Sequence, residues 1–408
     1  MQEAAGTITD GNGWWGVVLA ATVVLLVTTG LRLTLGLFVS PLNSATGLGI
    51  VTISLVMAVS QLTWGVAQPV FGALADRYGA LRALVVGTVM LALGLAATPF
   101  ARSEATLMLC IGVLIAAGAG AGSYSVVLGA TARVIPPHRR GFVSGFVNAG
   151  GSFGQFLFAP FLQVLIAGFS WVHAFFTSAV IVLATLPLAW KVGRAAPAQP
   201  VAAAGEGLRA QLTQALGDRS YWCLHAGFFT CGFHIAFLVT HLPGEVGLCG
   251  LPASVSAASL AIIGLANIAG CLGAGMLSQR YRMKGLLAAM YASRAALVVL
   301  YLMAPKTEWT FYFFAAGLGV TWLATVPPTA GLVGKLFGLR YLSTLFGLTL
   351  LSHQIGAFFG AWLGGIALAR SGNYDWMWYA DIVLALAAAL VNLPIREAPV
   401  IRATKAAA

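Results

Sequence analysis

The sequence predicts an all-α membrane protein with twelve transmembrane helices. Of its 408 residues, 59% are hydrophobic and only 8% are charged. A soluble domain carries roughly 25% charged residues, so a chain of this composition could not cover its surface with solvated groups. Apolar runs of about 20 residues, long enough to cross a bilayer as helices, recur along the chain. A transmembrane β-barrel is excluded because its strands would alternate apolar and polar residues over short segments.

Charged or Pro/Gly-rich breaks separate twelve apolar runs, which we number helices 1 to 12. Their predicted ranges are 14–38, 51–73, 82–100, 104–132, 141–168, 171–191, 220–242, 253–278, 284–304, 308–334, 341–369 and 376–394. The long polar stretch between helices 6 and 7 predicts a linker with a short amphipathic helix. The predicted organisation is an N-terminal six-helix half (1–193), a cytoplasmic linker (194–219) and a C-terminal six-helix half (220–408).

The basic residues are distributed unequally between the two sides of the predicted membrane. Twelve spans put both termini on one side, and the loops on that side hold most of the 22 Lys and Arg residues. The opposite loops hold only Arg102, Lys306 and Arg370. Positive residues accumulate in cytoplasmic loops, so both termini are predicted to be cytoplasmic, in a bacterial cytoplasmic (inner) membrane. The same rule accounts for the net charge of +11 without a nucleic-acid partner.

The two halves repeat each other at an offset of 202 residues. Pro41 matches Pro243, and Gly154 of helix 5 matches Gly356 of helix 11. Two six-helix halves in parallel repeat are the organisation of major facilitator transporters, whose substrate site lies near the membrane midplane between the halves. The sequence therefore favours the major facilitator fold.

The stretch "GALADRYGALR" (72–82) resembles the major facilitator signature between helices 2 and 3. The resemblance implies that Asp76, Arg77 and Arg82 make charge contacts at the cytoplasmic face. In the family, these contacts help to hold the two halves together in the outward-facing state. We therefore expect these three residues to act in gating.

Two further stretches resemble motifs of the monocarboxylate transporters and the related oxalate–formate antiporter-like branch. "DGNGWWG" (10–16) resembles the opening motif, with an insertion near Asn12. "HRRGFVSGFVNAGG" (138–151) resembles the motif of the fifth helix, with His138 in place of Lys. Its spaced glycines keep one helix face smooth, which permits sliding against the opposite half.

Two departures from known families limit what the resemblance implies. Monocarboxylate transporters carry an Asp–Arg pair in helix 8, whereas the predicted helix 8, "SVSAASLAIIGLANIAGCLGAG", has no ionisable carboxylate or Arg. A proton-coupling scheme built on that pair therefore does not transfer. The Arg of helix 4 and the Gly-Pro motif of helix 5 that drug/proton antiporters usually show are missing as well.

Arg32 is the charge of helix 1, inside the apolar run "VTTGLRLTLGLFVSP" (27–41). An arginine at the centre of a membrane helix costs about 2.5–3.5 kcal/mol on the translocon scale. No acidic partner is obvious in the sequence, so we expect a substrate carboxylate to offset the charge. Its setting before "LGLF" resembles the basic helix-1 position of monocarboxylate transporters. The alternative is an arginine that snorkels outward or bonds backbone carbonyls.

His234 occupies the repeat position of Arg32 in helix 7. Because histidine titrates near neutral pH, it is the predicted proton carrier, with a hydrogen-bonded packing residue as the alternative. Arg294 and Asp381 fall in helices 9 and 12, which are peripheral in this fold. We expect them to stabilise the C-terminal half rather than to touch substrate.

Further polar or aromatic residues of the predicted spans are candidates to line the substrate cavity. Together with Arg32 and His234, the candidate substrate-binding residues are Tyr124, Asn148, Gln155, Asn267, Trp322, His353 and Gln354. Each could instead serve interhelical hydrogen bonding or packing. The His and Cys residues fit no standard zinc spacing, and neither a catalytic triad nor a nucleotide-binding motif is present. We therefore expect neither an enzyme nor a cofactor.

The sequence is best interpreted as a secondary active transporter of a small organic anion such as a monocarboxylate. Alternating access would move the halves about the central site, and proton symport would follow the family resemblance. The alternative is a proton-driven exporter of a drug or siderophore-like metabolite, and a third hypothesis is a membrane receptor that does not turn over. The expected partners are the anion, protons and the lipid bilayer, with the protein acting as a monomer.

Overall fold

The computed structural model describes residues 13–123, 126–127, 130–131, 134–135, 140–195, 206–338 and 342–399. Within these ranges, twelve helices are long and apolar enough to cross a membrane. The predicted number of spans is therefore confirmed, and the chain is a multi-pass integral membrane protein.

The spans of the N-terminal half include four that change geometry along their length. Helix 1 is Gly13–Leu33, continued by a 3₁₀ turn (Leu35–Phe38) and by Val39–Thr46; helix 2 is Ile50–Tyr78; helix 3 is Ala80–Ala97, continued by a 3₁₀ turn (Thr98–Phe100); helix 4 is Glu104–Leu107, the π-helical Met108–Ile115 and Ala116–Ala121; helix 5 is Arg140–Gly168; and helix 6 is Trp171–Ala184 with Leu186–Ala195. A short helix in the linker, Glu206–Leu216, precedes the C-terminal half.

The C-terminal half contains the remaining six spans. Helix 7 is Arg219–Leu248, helix 8 Ala253–Arg280, helix 9 Met283–Met303, helix 10 Glu308–Thr321 with Val326–Phe337, helix 11 Leu342–Ser371 and helix 12 Asp375–Asn392. The predicted end of helix 7 at residue 242 is wrong, because the helix continues through Pro243 to Leu248. A membrane helix tolerates proline where neighbouring groups satisfy the freed backbone. The extension brings Glu245 into the span.

Both described termini lie at one end of the bundle, which we call the linker end; we call the opposite end the far end. The C-terminal segment folds against the start of helix 7, where Arg396 Nη2 donates to Asp218 Oδ2 at 2.6 Å. The backbone N–H of Arg396 also donates to Ser220 Oγ. Helices 1, 5, 7 and 11 therefore run from the linker end towards the far end.

Glycines produce the same close crossing in each half. A Cβ atom at Gly154 of helix 5 would lie 2.1 Å from the carbonyl oxygen of Leu26 in helix 1. A Cβ atom at its repeat mate Gly356, in helix 11, would lie 1.9 Å from the carbonyl oxygen of Phe229 in helix 7. Small residues let membrane helices approach this closely. The 202-residue repeat of the sequence is thus also a repeat of packing.

The two halves meet closely at the far end. Helix 2 packs against helix 11, and a Cβ atom at Gly365 would lie 2.2 Å from Ser54 Oγ. The 3₁₀ turn of helix 1 packs against helix 7, where a Cβ atom at Gly36 would lie 1.9 Å from the carbonyl oxygen of Val239. Only glycine allows these contacts, so they close the far end.

Towards the linker end, the same helices lose their close contacts. Helix 5 still meets helix 8 near the middle of the bundle, where a Cβ atom at Gly264 would lie 2.7 Å from the carbonyl oxygen of Ser152. Nearer the linker end, Cβ atoms at five glycines of these helices would meet no other heavy atom within 4 Å in the part of the chain that the structure describes. They are Gly72, Gly145, Gly273, Gly275 and Gly347. The bundle is therefore closed at the far end, and among the described residues the close glycine contacts of these helices do not extend to the linker end.

Candidate functional site

Among the described residues, Arg32 has two partners, and both are neutral. Its Nη1 donates to Gln61 Oε1 at 2.8 Å, and its guanidinium carbon lies 4.1 Å from the centre of the Trp64 ring. Gln61 and Trp64 share one face of helix 2 because they are three residues apart. No described carboxylate forms an ion pair with Arg32, which agrees with the lack of an obvious acidic partner in the sequence. The two neutral partners were not predicted.

The charge of Arg32 is held in place but not cancelled. A cation over an aromatic face gains about 0.5–2 kcal/mol, and an amide oxygen accepts a hydrogen bond without adding negative charge. The Nε atom of Arg32 is buried and has no hydrogen-bond partner among the described residues. The guanidinium therefore keeps both its net charge and an unused donor.

Two buried glutamines lie on helices that pack against helices 1 and 2. Gly30 of helix 1 crosses Gly154 of helix 5, and the residue after Gly154 is the fully buried Gln155. Neither amide atom of Gln155 has a partner within the described ranges. On helix 11, Gln354 packs against helix 2 at Gly65, since a Cβ atom at Gly65 would lie 2.5 Å from Gln354 Cγ. Helices 5 and 11 therefore each bring a neutral, buried amide to the helices that carry Arg32 and its partners.

His353 and Asn267 already have hydrogen-bond partners within the protein. Gln354 Nε2 donates to His353 Nδ1 at 3.0 Å. Asn267 Nδ2 donates to Ser152 Oγ at 2.8 Å, and Asn267 Oδ1 accepts from the N–H of Leu323 at 2.9 Å. Asn267 therefore links helices 8 and 10 to helix 5 of the opposite half. Its amide is engaged in these contacts between helices.

His234 and Asp381 form a buried pair between helices 7 and 12. His234 Nδ1 lies 2.5 Å from Asp381 Oδ2, and the two side chains are 1% and 0% exposed. Asp381 lies on helix 12, and its carboxylate faces the interior of the C-terminal half, where the sequence predicts a stabilising role. A carboxylate in a membrane helix avoids lipid by facing the bundle and pairing, as it does here.

Arg294 is also buried, at 1% exposed, within the C-terminal half. It donates to the carbonyl oxygens of Thr321 and Trp322 in helix 10, the second at 2.7 Å. Its Nη1 lies 3.3 Å from Cys231 Sγ in helix 7. These contacts agree with a stabilising role for Arg294.

The partners of Arg294 lie where helix 10 breaks. The helix is interrupted between Thr321 and Val326, just before Pro327 and Pro328. At the break, the N–H of Val326 donates to the carbonyl oxygen of Leu323 rather than to that of Trp322, so the Trp322 carbonyl lacks this helical bond and accepts from Arg294. Trp322 is fully buried at this break, and its ring centre lies 6.1 Å from that of His234.

Glu245, which the longer helix 7 brings into the span, is hydrogen-bonded at the far end. Tyr301 OH donates to Glu245 Oε1 at 2.6 Å, and Lys306 Nζ donates to the carbonyl oxygen of Tyr301 at 2.5 Å. Burial lowers the pKa of Lys306, and nearby Glu245 opposes that effect. Nearby, His241 Nε2 donates to the carbonyl oxygen of Ala361 at 2.7 Å. Glu245 therefore bonds Tyr301 instead of neutralising Arg32.

Some predicted site residues remain predictions. Tyr124 and the side chains of Asp76 and Arg77 lie outside the described part of the chain, as do residues 10–12 and 138–139 of the two motifs. The Arg82 guanidinium carbon lies 5.8 Å from the centre of the Tyr78 ring on the preceding helix. Asn148 is half-buried on helix 5.

Sequence reasoning missed two partners that decide the chemistry of the site. Gln61 was detectable, because it lies one turn before Trp64 on the same face of a predicted span. The pairing of Asp381 with His234 was not detectable from spacing, since it joins residues that are 147 positions apart.

Comparison with known proteins agrees with this architecture. The chain is similar to monocarboxylate transporter 13 of Bos taurus, with 25% identity over 94% of this chain and 90% of that protein. It is also similar to the oxalate:formate antiporter of Oxalobacter formigenes, with 23% identity over 90% and 87% of the two chains. In fold, it resembles the crystal structure of a D-xylose–proton symporter, with a TM-score of 0.73, 16% identity and coverage of 94% and 98%.

The sequence model of the Major Facilitator Superfamily matches residues 19–361. This range covers most of the chain and reaches from helix 1 into helix 11. The relatives named above are transporters, and the described residues form the same kind of twelve-helix bundle. The protein is therefore a membrane transporter rather than an enzyme, and it belongs to the major facilitator superfamily.

Proposed function

We propose that this protein moves a small, monocarboxylate-like organic anion across the bacterial cytoplasmic (inner) membrane by alternating access. The observation that carries the proposal is the setting of Arg32, a half-buried cation held by the amide of Gln61 and the ring of Trp64. Two relatives whose names specify monocarboxylate and oxalate:formate transport support an anionic substrate.

The geometry of Arg32 suits a carboxylate. A guanidinium offers its donors in planar forks, and a carboxylate can accept two parallel N–H bonds from one fork. Gln61 occupies Nη1, whereas Nε has no described partner. A carboxylate bound along the Nε side would therefore complete the hydrogen bonding of Arg32 and offset its charge at the same time.

The conformation of the bundle supports alternating access. The halves are tight at Gly36 and Gly365, near the far end, and among the described residues their close glycine contacts do not extend to the linker end. With the linker on the cytoplasmic side, as the distribution of Lys and Arg predicts, this arrangement corresponds to an inward-facing transporter. Substrate would then exchange with the cytoplasm at the linker end, through openings between helices 2 and 11 and between helices 5 and 8.

The test has two steps. A thermal-shift screen of carboxylates and lipophilic cations identifies a ligand, and calorimetric titration then measures the affinity of purified variants for it. Arg32→Gln is expected to weaken carboxylate binding at least about tenfold, because a hydrogen bond to a charged group contributes about 1.5–3 kcal/mol. Arg32→Lys is expected to retain part of the affinity, since it keeps the charge but loses the fork.

Arg370→Gln provides the matched control, because Arg370 is an exposed arginine at the far end of helix 11. It removes the same charge and is expected to leave affinity unchanged. Wild-type affinity in a stably folded Arg32→Gln variant would contradict the proposal. Selective binding of lipophilic cations would favour the drug-exporter alternative, and carboxylate binding without counterflow in proteoliposomes would favour a receptor.

A further inference from the structure

We infer that the His234–Asp381 pair is the proton-binding site of this transporter, built inside the C-terminal half and apart from the anion site at Arg32. The inference rests on the proposed function, since it supplies the proton that would accompany the anion. It specifies a ligand, the proton, and the atom that accepts it, Nε2 of His234.

The tautomer of His234 follows from its partner. Asp381 Oδ2 lies 2.5 Å from His234 Nδ1, and an ionised carboxylate only accepts hydrogen bonds. Nδ1 therefore carries a proton in the neutral ring, which leaves a lone pair on Nε2. Nε2 is buried and has no partner among the described residues, and the same is true of Asp381 Oδ1. The pair thus has an unused acceptor on each side.

The charges around the pair favour a neutral resting state that can take up one proton. Arg294 of helix 9 is buried nearby and interacts electrostatically with Asp381. With His234 neutral, the charges of Arg294 and Asp381 balance. A proton on Nε2 gives an imidazolium that keeps its bond to the carboxylate, which is the arrangement that makes a buried histidine cation tolerable.

The remaining titratable groups near the pair have their own hydrogen bonds. Cys231, on helix 7, contacts Arg294 and lies 3.4 Å from Thr325 Oγ1 of helix 10. Tyr291, on helix 9, lies beneath the guanidinium of Arg294 at 5.3 Å. His353, on helix 11, accepts from Gln354. Helix 10 contributes the indole of Trp322 and no acid or base at this point.

A continuous set of contacts joins the pair to the interface between the halves. Arg294 holds the carbonyl oxygens of Thr321 and Trp322 at the break of helix 10. The next residue, Leu323, donates its N–H to Asn267, which in turn donates to Ser152 of the N-terminal half. A change in the charge next to Arg294 therefore acts on a broken helix that contacts the opposite half, which is how protonation would bias alternating access.

The first test separates coupling from transport in proteoliposomes. We expect Asp381→Asn and His234→Gln to retain substrate counterflow within about threefold and to lose pH-gradient-driven accumulation at least about tenfold. The double variant is expected to be no worse than either single variant, because the two residues act as one unit. His173→Gln, which changes an exposed histidine at the far-end start of helix 6, is the matched control and is expected to keep both activities.

The second test needs no substrate, so it separates this inference from the proposed function. In ¹⁵N-histidine NMR spectra of the substrate-free protein, the signal that disappears in His234→Gln is expected to show a ring that carries its proton on Nδ1 and takes up a second proton on Nε2 when the sample is acidified. A His234 signal that takes up no second proton would overturn the inference even if carboxylates are transported. Unchanged gradient-driven accumulation in both single variants would also overturn it.

Discussion

Gln61 accepts a hydrogen bond from Arg32 and brings no charge of its own to the site. At the residue scale, this neutrality distinguishes a cation available to a ligand from one satisfied inside the protein. An acidic residue in the same place would form a buried ion pair, as Asp381 does with His234 in the other half. The two halves therefore treat corresponding positions, 32 and 234, in opposite ways.

Gln61→Glu tests this distinction with almost no change of shape. The new carboxylate is expected to pair with Arg32 and to weaken anion binding at least about tenfold, while thermal stability is kept. Gln61→Met, which has a similar volume and no charge, is expected to keep affinity within about threefold. Isothermal titration with the best carboxylate of the screen provides the measurement. Equal affinities of the Glu and Met variants would mean that the net charge at Arg32 does not attract the substrate.

At the scale of single helices, the contact between helix 1 and helix 7 closes the far end. Pro243 has no N–H to donate to Val239, so the Val239 carbonyl is free of its usual helical bond. The backbone of Gly36 packs directly against this carbonyl. Any side chain at position 36 would separate the two helices there.

Gly36→Ala is therefore expected to shift the protein towards a state open at the far end, because the added methyl group would meet backbone rather than a flexible side chain. Pairs of spin labels on the loops after helices 1 and 7 should show longer distances by double electron–electron resonance. Gly168→Ala, at the far end of helix 5, is the control, since a Cβ atom there meets no described heavy atom within 4 Å. An unchanged distance distribution in Gly36→Ala would count against closure by this contact.

Hydropathy predicted every span but not the irregularities within spans. The break of helix 10 lies just before Pro327–Pro328, yet an apolar run gives no sign of whether a proline pair ends, kinks or interrupts a helix. Pro243 shows the opposite outcome, since helix 7 continues through it. The neighbours decide between these outcomes, and for helix 10 the neighbour is Arg294, which is distant in sequence.

For the whole molecule, the twofold repeat was predictable because glycine and proline recur at one spacing. The candidate site was predictable only in part. Arg32 stood out by its cost in an apolar run, whereas its neutral partner on helix 2 needed the tertiary packing. For Asp381, the sequence indicated a residue of the C-terminal half, and a lone carboxylate in a span is expected to face inward, but its partner His234 needed the tertiary packing. The gating residues Asp76 and Arg77 remain predictions.

The partners of Arg294 also set an order of events while the chain is being synthesised. Helix 9 leaves the ribosome before the carbonyls of helix 10 and the carboxylate of helix 12 exist, so Arg294 enters the translocon with only helix 7 available. We expect helix 9 alone to insert poorly, and Arg294→Leu to improve its insertion free energy by about 2.5–3.5 kcal/mol in a glycosylation-mapping assay. Extending the nascent chain through helix 10 is expected to remove most of that difference, because the broken helix brings the acceptors that Arg294 needs. Equal insertion of helix 9 with Arg294 and with Leu would contradict this order. It would mean that the nascent C-terminal half tolerates the charge of Arg294 before helices 10 and 12 are made.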